Sequence, residues 1–145
     1  MSIEKTGNCF YNAYLAIQEW SIFEKATLVH AVVRGTGGEV KDKAYTHGWL
    51  EMDNVAYDFT HKKLDCEMLC KDAYHKLGRI YPATIARYTR GQAIDQYKKF
   101  DHTGPWHSFI THVGKHEPMP HEKMLSHIEE SPTINFPNPT LLRDG

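Results

Sequence analysis

Apolar residues recur at near-helical spacing from position 9 to about 25. Phe10, Ala13, Tyr14, Ile17 and Trp20 fall on one side, while Gln18, Glu19 and Glu24 fall elsewhere. Asn8 is a favoured N-cap residue, so the pattern predicts a helix with Cys9 in its first turn. Residues 26–34, ATLVHAVVR, read instead as a buried strand, broken by Gly35-Thr36-Gly37-Gly38. Two short strands follow, over 45–52 and 55–60, around the tight-turn dipeptide Asp53-Asn54. Residues 64–77 read as a helix with Leu64, Met68, Leu69, Ala73 and Leu77 on its apolar side and Gly78 as its stop. Residues 81–88 predict a strand with Pro82 near its start, and 89–100 a helix capped by Thr89. HSFITHV, over 107–113, reads as a last strand. From 114 to 145 proline and histidine are frequent and periodicity is slight, so an extended or disordered extension is expected. The order of elements predicts an α+β fold, with the N-terminal helix packed on an antiparallel sheet. Residues 1–113 form the domain and 114–145 the Pro/His-rich extension.

The hairpin register arranges the polar chemistry. With a two-residue turn at Asp53-Asn54, Met52 faces Val55, Glu51 faces Ala56, Trp49 faces Asp58 and His47 faces Thr60. Side chains alternate along a strand, so His47, Trp49, Glu51, Ala56, Asp58 and Thr60 share one face. Leu50, Met52, Val55, Tyr57 and Phe59 share the other, which reads as the core face. Asp58 lies diagonal to His47, about 7–8 Å away between backbones, a gap that ring and carboxylate side chains bridge. A slip of one residue would put Asp58 on the opposite face. An ordinary surface pair on a half-wet hairpin is the plain alternative.

Composition narrows the function classes. The chain has 145 residues, one domain by length, with 41% hydrophobic and 24% charged residues and a formal net charge of −1. Near-neutral charge gives no bias toward nucleic acid. No apolar run suits a spanning helix and no apolar leader opens the chain, so a cytoplasmic protein without membrane partners is expected. The three cysteines Cys9, Cys66 and Cys70 are an odd set, read as free thiols in a reducing compartment.

Their settings differ. A helix N-terminus favours negative charge, so a thiol there ionises more readily, and its free N–H groups suit an oxyanion. Cys9 is therefore the candidate nucleophile, His47 the candidate base and Asp58 the group that orients the base. Asn8 is a candidate oxyanion donor, and Trp49 a candidate wall of the substrate cleft. The plain reading of Cys9 alone is a small buried apolar residue.

His47-Gly48-Trp49-Leu50-Glu51, followed by Val55-Ala56-Tyr57-Asp58-Phe59-Thr60, resembles the H-A-W-V-E…D-P-T hairpin of transglutaminase-like enzymes. Gly7-Asn8-Cys9 is similar to the turn before the nucleophile in the wider papain-like superfamily. The resemblance covers roughly residues 7–60. It implies a papain/transglutaminase-like core, a Cys9–His47–Asp58 triad, no cofactor or metal, and a protein or peptide substrate whose amide bond passes through a thioester. Gly48 stands where Ala is usual and Phe59 where Pro is usual. The upstream oxyanion Gln of many papain-like enzymes has no counterpart, so Asn8 or the Cys9 backbone N–H takes that role.

Two other classes compete. One is a catalytically inactive binding domain on the same scaffold, recognising a protein or small-molecule partner. The other is a metal-dependent module using His61, Cys66, Cys70 and His75. Four ligands along one helix do not surround a metal, so buried thiols packing that helix are preferred. Tyr81, Arg87, Tyr88 and Arg90 are too sparse a cluster for nucleic acid. His107, beside Trp106, is a further histidine within reach of a site.

Overall fold

The computed structural model describes residues 9–36, 41–59, 66–107 and 119–130. Helix α1 is Cys9–Glu19, followed by a 3-10 turn at Ser21–Phe23. Strand β1 is Thr27–Arg34, β2 Lys43–Met52, β3 Val55–Asp58 and β4 Glu67–Cys70. Helix α2, Lys71–Gly78, leads through a 3-10 turn at Pro82–Thr84 to β5, Ala86–Tyr88. Helix α3 is Arg90–Phe100, β6 Met119–Pro120 and α4 His121–Glu130. The strands form one sheet in the order β4-β3-β2-β1-β5, with β6 also on β2, and every named pair is antiparallel. The protein is therefore α+β, with its N-terminal helix packed on an antiparallel sheet.

The central hairpin takes the register that the sequence implies. Leu50 pairs with Tyr57, Glu51 with Ala56 and Met52 with Val55. Asp53 (φ 52°) and Asn54 (φ 67°) both occupy the left-handed region, as a primed two-residue turn requires and as short polar side chains tolerate.

Both faces of the sheet are buried, so the plain alternative of a surface pair on a half-wet hairpin does not hold. Leu28, Leu50 and Phe59 pack with Ala13, Tyr14, Ala16 and Ile17 of α1 and Ala93 of α3. Val29, Ala31, Val33, Trp49 and Ala56 form a second core closed by Tyr74 of α2. The sheet thus lies between α1 with α3 on one side and α2 on the other.

Other departures have local causes. The run expected as one helix over 64–77 divides into β4 and α2, because 67–70 extend the sheet beside β3. Met68 and Leu77, expected on an apolar face, are 65% and 56% exposed, and Tyr74 turns inward instead. The helix stops at Arg79, whose left-handed φ of 44° closes the C-cap. The first helix ends at Glu19 rather than near 25; Arg90 donates to the carbonyls of Ile17 and Trp20 and so satisfies its C-terminal acceptors. Thr89 caps α3 in a reciprocal capping box with Gln92. Within the stretch expected to be extended, residues 119–130 form β6 and α4. Met119 and Met124 bury themselves against Val32, Ala44 and Tyr81, and that packing sets their structure where local periodicity does not. The expected strand over 107–113 lies outside the described residues from 108 onward, as do 131–145.

Gly48 marks where α1 meets β2. A Cβ there would stand 2.9 Å from Phe10 Cδ1 and 3.2 Å from His30 Cδ2. The glycine is thus a packing requirement at this position. Gly48→Ala is expected to destabilise the fold by about 1–3 kcal/mol through overpacking, measured by urea unfolding at pH 7; an unchanged midpoint would show that Phe10 yields freely.

Candidate active site

Cys9 is the first residue of α1 and is buried, at 8% exposure. Its neighbour Phe10 lies over Gly48, the neighbour of His47, so the close approach of α1 to β2 sets the thiol beside the imidazole. Strand β3 pairs with β2 only at 50–52 and β6 only at 43–44. Between them, residues 45–49 of β2 have no strand partner on that edge among the described residues, and α1 begins against this stretch.

His47 projects to the opposite side of the sheet from Leu50, together with Tyr45 and Trp49. Its Nε2 lies 2.9 Å from Asp58 Oδ2. Both side chains are nearly enclosed, at 12% and 14% exposure. Burial opposes a charge on His47. The negative charge of a Cys9 thiolate, the hydrogen bonds with Asp58 and Cys9, and the Asp58 charge outweigh it. Together they hold the imidazole's proton affinity well above its ordinary range. With Nε2 on Asp58, Nδ1 is the nitrogen left for the thiol.

Tyr74, unforeseen in the sequence, completes this cluster. Its hydroxyl donates to the same Asp58 Oδ2 at 2.6 Å. Burial, followed by the Asp58 charge, pushes its pKa far above the usual phenol range, so the hydroxyl keeps its proton. The next residue, His75, makes a second carboxylate contact, with its Nε2 2.6 Å from Glu51 Oε2. The same oxygen accepts from Trp49 Nε1 at 3.0 Å, and Arg87 Nε lies 3.6 Å from Glu51 Oε1.

Trp49 is fully buried, stacked 5.9 Å from His47 and tilted 5.2 Å from Tyr74. It therefore backs the imidazole rather than walling a cleft, because α2 covers its face of the sheet. A small cleft of about 180 Å³ opens on this side, lined by Val33, Tyr45, His47, Asp58, Tyr74 and Leu77. A larger cleft of about 550 Å³ lies at the far end of β2, beside the Asp53-Asn54 turn and away from His47.

The remaining candidates are dispersed. Asn8, Thr60 and His61 lie outside the described residues. Cys66 is half-buried and Cys70 exposed, and they border or occupy β4 rather than one helical face. Among the described residues no three His, Cys, Asp or Glu groups converge to hold a metal. Arg87 faces Glu51 and Arg90 caps α1, so the basic residues of the 81–90 stretch serve the fold. Tyr81 bonds His121 of α4 at 2.6 Å. His107 is half-buried, and burial lowers its proton affinity. No helix among the described residues is long and apolar enough to cross a membrane.

His30, also unforeseen, sits on the α1 side of the sheet opposite Gly48. It is fully buried among Phe10, Tyr88 and Trp106, and neither ring nitrogen has a hydrogen-bond partner among the described residues. Its one legible signal was an imidazole in the middle of a valine-rich strand. Burial first, then the charges of His47 and His102, lower its pKa to about 3.

The two histidines act on stability with opposite sign. His47 binds its proton more tightly when folded, so its contribution is complete below about pH 6.5 and fades as pH rises through the folded value. His30 binds its proton less tightly when folded, so its protonation in the unfolded chain costs stability as pH falls from about 6.5 toward its folded value. Between pH 7 and pH 5 the wild type is expected to lose about 2 kcal/mol relative to His30→Leu, read from urea unfolding at each pH. Parallel pH curves would show that His30 titrates in the fold as a free imidazole does.

No protein family, curated protein or solved structure matches this chain.

Proposed function

We propose that the protein is a cysteine-dependent hydrolase or acyltransferase with a papain/transglutaminase-like core, acting on an amide bond of a protein or peptide. Cys9 is the nucleophile, His47 the base and Asp58 the residue that orients it. The observation that carries this reading is the buried His47. It holds Asp58 at 2.9 Å through one nitrogen while its proton affinity is coupled to the thiol that opens α1. A core histidine needs one such partner. A thiol-activating histidine needs both.

In the proposed reaction the Cys9 proton passes to His47, and the resulting ion pair is the resting state. The thiolate sulfur bonds to the carbonyl carbon, and the carbonyl electron pair moves to oxygen. The first-turn N–H groups of α1 suit that oxyanion. Collapse re-forms the carbonyl and breaks the C–N bond, and His47 returns its proton to the departing amine. The product is a thioester on Cys9. Water or a second amine, deprotonated by His47, then attacks that thioester and releases the thiolate. Water gives hydrolysis or deamidation, and an amine gives transfer. Asp58 keeps Nε2 occupied throughout, so Nδ1 faces the reaction. The odd set of three cysteines suits a reducing compartment, and we place the activity in the cytoplasm.

The test is the pH dependence of iodoacetamide labelling, with each adduct located by mass spectrometry. In the wild type Cys9 is expected to label at pH 6.5 at least about tenfold faster than Cys66 or Cys70, as an activated thiol does. His47→Ala should abolish that advantage. If Cys9 labels no faster than the other two, or only near the pH of about 8.5 at which a free thiol ionises, the nucleophile assignment is wrong and a binding domain on this scaffold is the better reading.

A further inference from the structure

The His47–Asp58 pair has a third member that no sequence motif supplies. Tyr74 sits on α2, 16 residues beyond Asp58, and its hydroxyl reaches Asp58 Oδ2 at 2.6 Å. That is the oxygen which also meets His47 Nε2. We propose that Tyr74 is a positioning residue of the thiol site: its hydroxyl fixes the Asp58 carboxylate in the rotamer that orients His47 toward Cys9. This inference rests on the cysteine-nucleophile reading and names a further residue of the same site.

Three features of the structure favour a positioning role over ordinary core packing. First, the ring is 8% exposed, and a buried phenol can be replaced by phenylalanine in a core unless its hydroxyl has work to do. Here the hydroxyl meets a charged acceptor, the stronger class of hydrogen bond.

Second, Tyr74 is itself held firmly. Its ring packs 5.2 Å from Trp49, which stacks on His47. The following residue, His75, is anchored to Glu51 at 2.6 Å, and Glu51 also takes the Trp49 indole N–H. Consecutive residues of α2 thus grip two carboxylates of the hairpin, Asp58 of β3 and Glu51 of β2, with Trp49 between them. A carboxylate turns about its terminal bond through a broad, shallow profile. Two donors converging on one oxygen from fixed elements remove that freedom.

Third, the donor cannot change its role within the working pH range. Tyr74 keeps its proton, because burial and the neighbouring Asp58 charge both oppose phenolate formation. It therefore always donates, and it always favours the ionised carboxylate. An ionised Asp58 is what keeps the proton on His47 Nε2 and leaves Nδ1 to exchange a proton with sulfur.

The test compares Tyr74→Phe with wild type in the iodoacetamide assay at pH 6.5 and pH 9.5, in the Asp58 and the Asp58→Asn backgrounds. At pH 6.5 labelling depends on the thiolate–imidazolium pair; at pH 9.5 a thiol ionises without help. Tyr74→Phe is expected to slow Cys9 labelling about tenfold at pH 6.5, as for loss of one hydrogen bond to a charged group, and less than about twofold at pH 9.5. In the Asp58→Asn background the same substitution should change the rate less than about twofold, because its route of action is gone. Site-specific 3-fluorotyrosine at position 74 keeps the ring and the hydroxyl, and should label at the wild-type rate within about twofold. It also serves as the comparison should Tyr74→Phe not fold: a folded fluorotyrosine protein with a tenfold deficit would overturn the proposal. Equal slowing at both pH values would assign Tyr74 a purely structural role and overturn it, as would an undiminished effect in the Asp58→Asn background. A fast wild-type Cys9 that ignores Tyr74→Phe rejects this inference alone. A wild-type Cys9 no faster than Cys66 rejects the nucleophile reading, and this one with it.

Discussion

A strand buried on both faces cannot carry a charged side chain without a partner, and β2 is such a strand. It runs between the α1 core and the α2 core, yet it carries His47 and Glu51. Burying a charge without a partner costs several kcal/mol, so each must be matched from a neighbouring element. Asp58 answers His47, and Tyr74 in turn holds Asp58; His75, Arg87 and the Trp49 indole answer Glu51. Helix α2 takes part in both answers, because its consecutive residues Tyr74 and His75 reach Asp58 and Glu51. Close packing of Phe10 of α1 and His30 of β1 leaves β2 small at Gly48.

His30 and His47 show what the two faces do to one side-chain type. Neighbouring strands present them to opposite sides of the sheet. One meets aromatic rings and no hydrogen-bond partner among the described residues, and is kept neutral. The other meets a carboxylate and a thiol, and its proton affinity is raised. Each reinforces the other, since a positive His47 raises the cost of a second positive charge at His30. A neutral, unpartnered imidazole in the core lowers stability, and nothing among the described residues requires that ring at position 30 to be polar.

What the sequence revealed, and what it hid, follows from the range of the interactions. The hairpin register was legible because Asp53-Asn54 sets it locally and alternation carries it along both strands. The first helix and the Thr89 cap were legible for the same reason. The division of 64–77 into β4 and α2 was not, because apolar spacing at Leu64, Met68 and Leu69 mimics a helix, and only the edge of β3 decides otherwise. The 119–130 segment was read as extended because its two buried methionines find partners on β1, β2 and Tyr81, distant in sequence. Tyr74 escaped notice because a tyrosine in a polar helix gives no sign of facing a carboxylate across the sheet. Trp49 was placed on the right face but given the wrong surroundings, since the cover that α2 provides is a tertiary fact.

The spacing of the three candidate groups along the chain bears on how the site assembles and comes apart. His47 and Asp58 are joined by a short connection through a tight turn, and closing so small a loop costs little entropy. Cys9 reaches them only through the docking of α1, across a much longer stretch of chain. The dyad is thus a local product of one hairpin, and the thiol is recruited by long-range packing. Fraying of the first turn of α1 separates sulfur from imidazole while leaving the hairpin paired, so the Cys9–His47 contact is lost at a smaller free-energy cost than the fold itself.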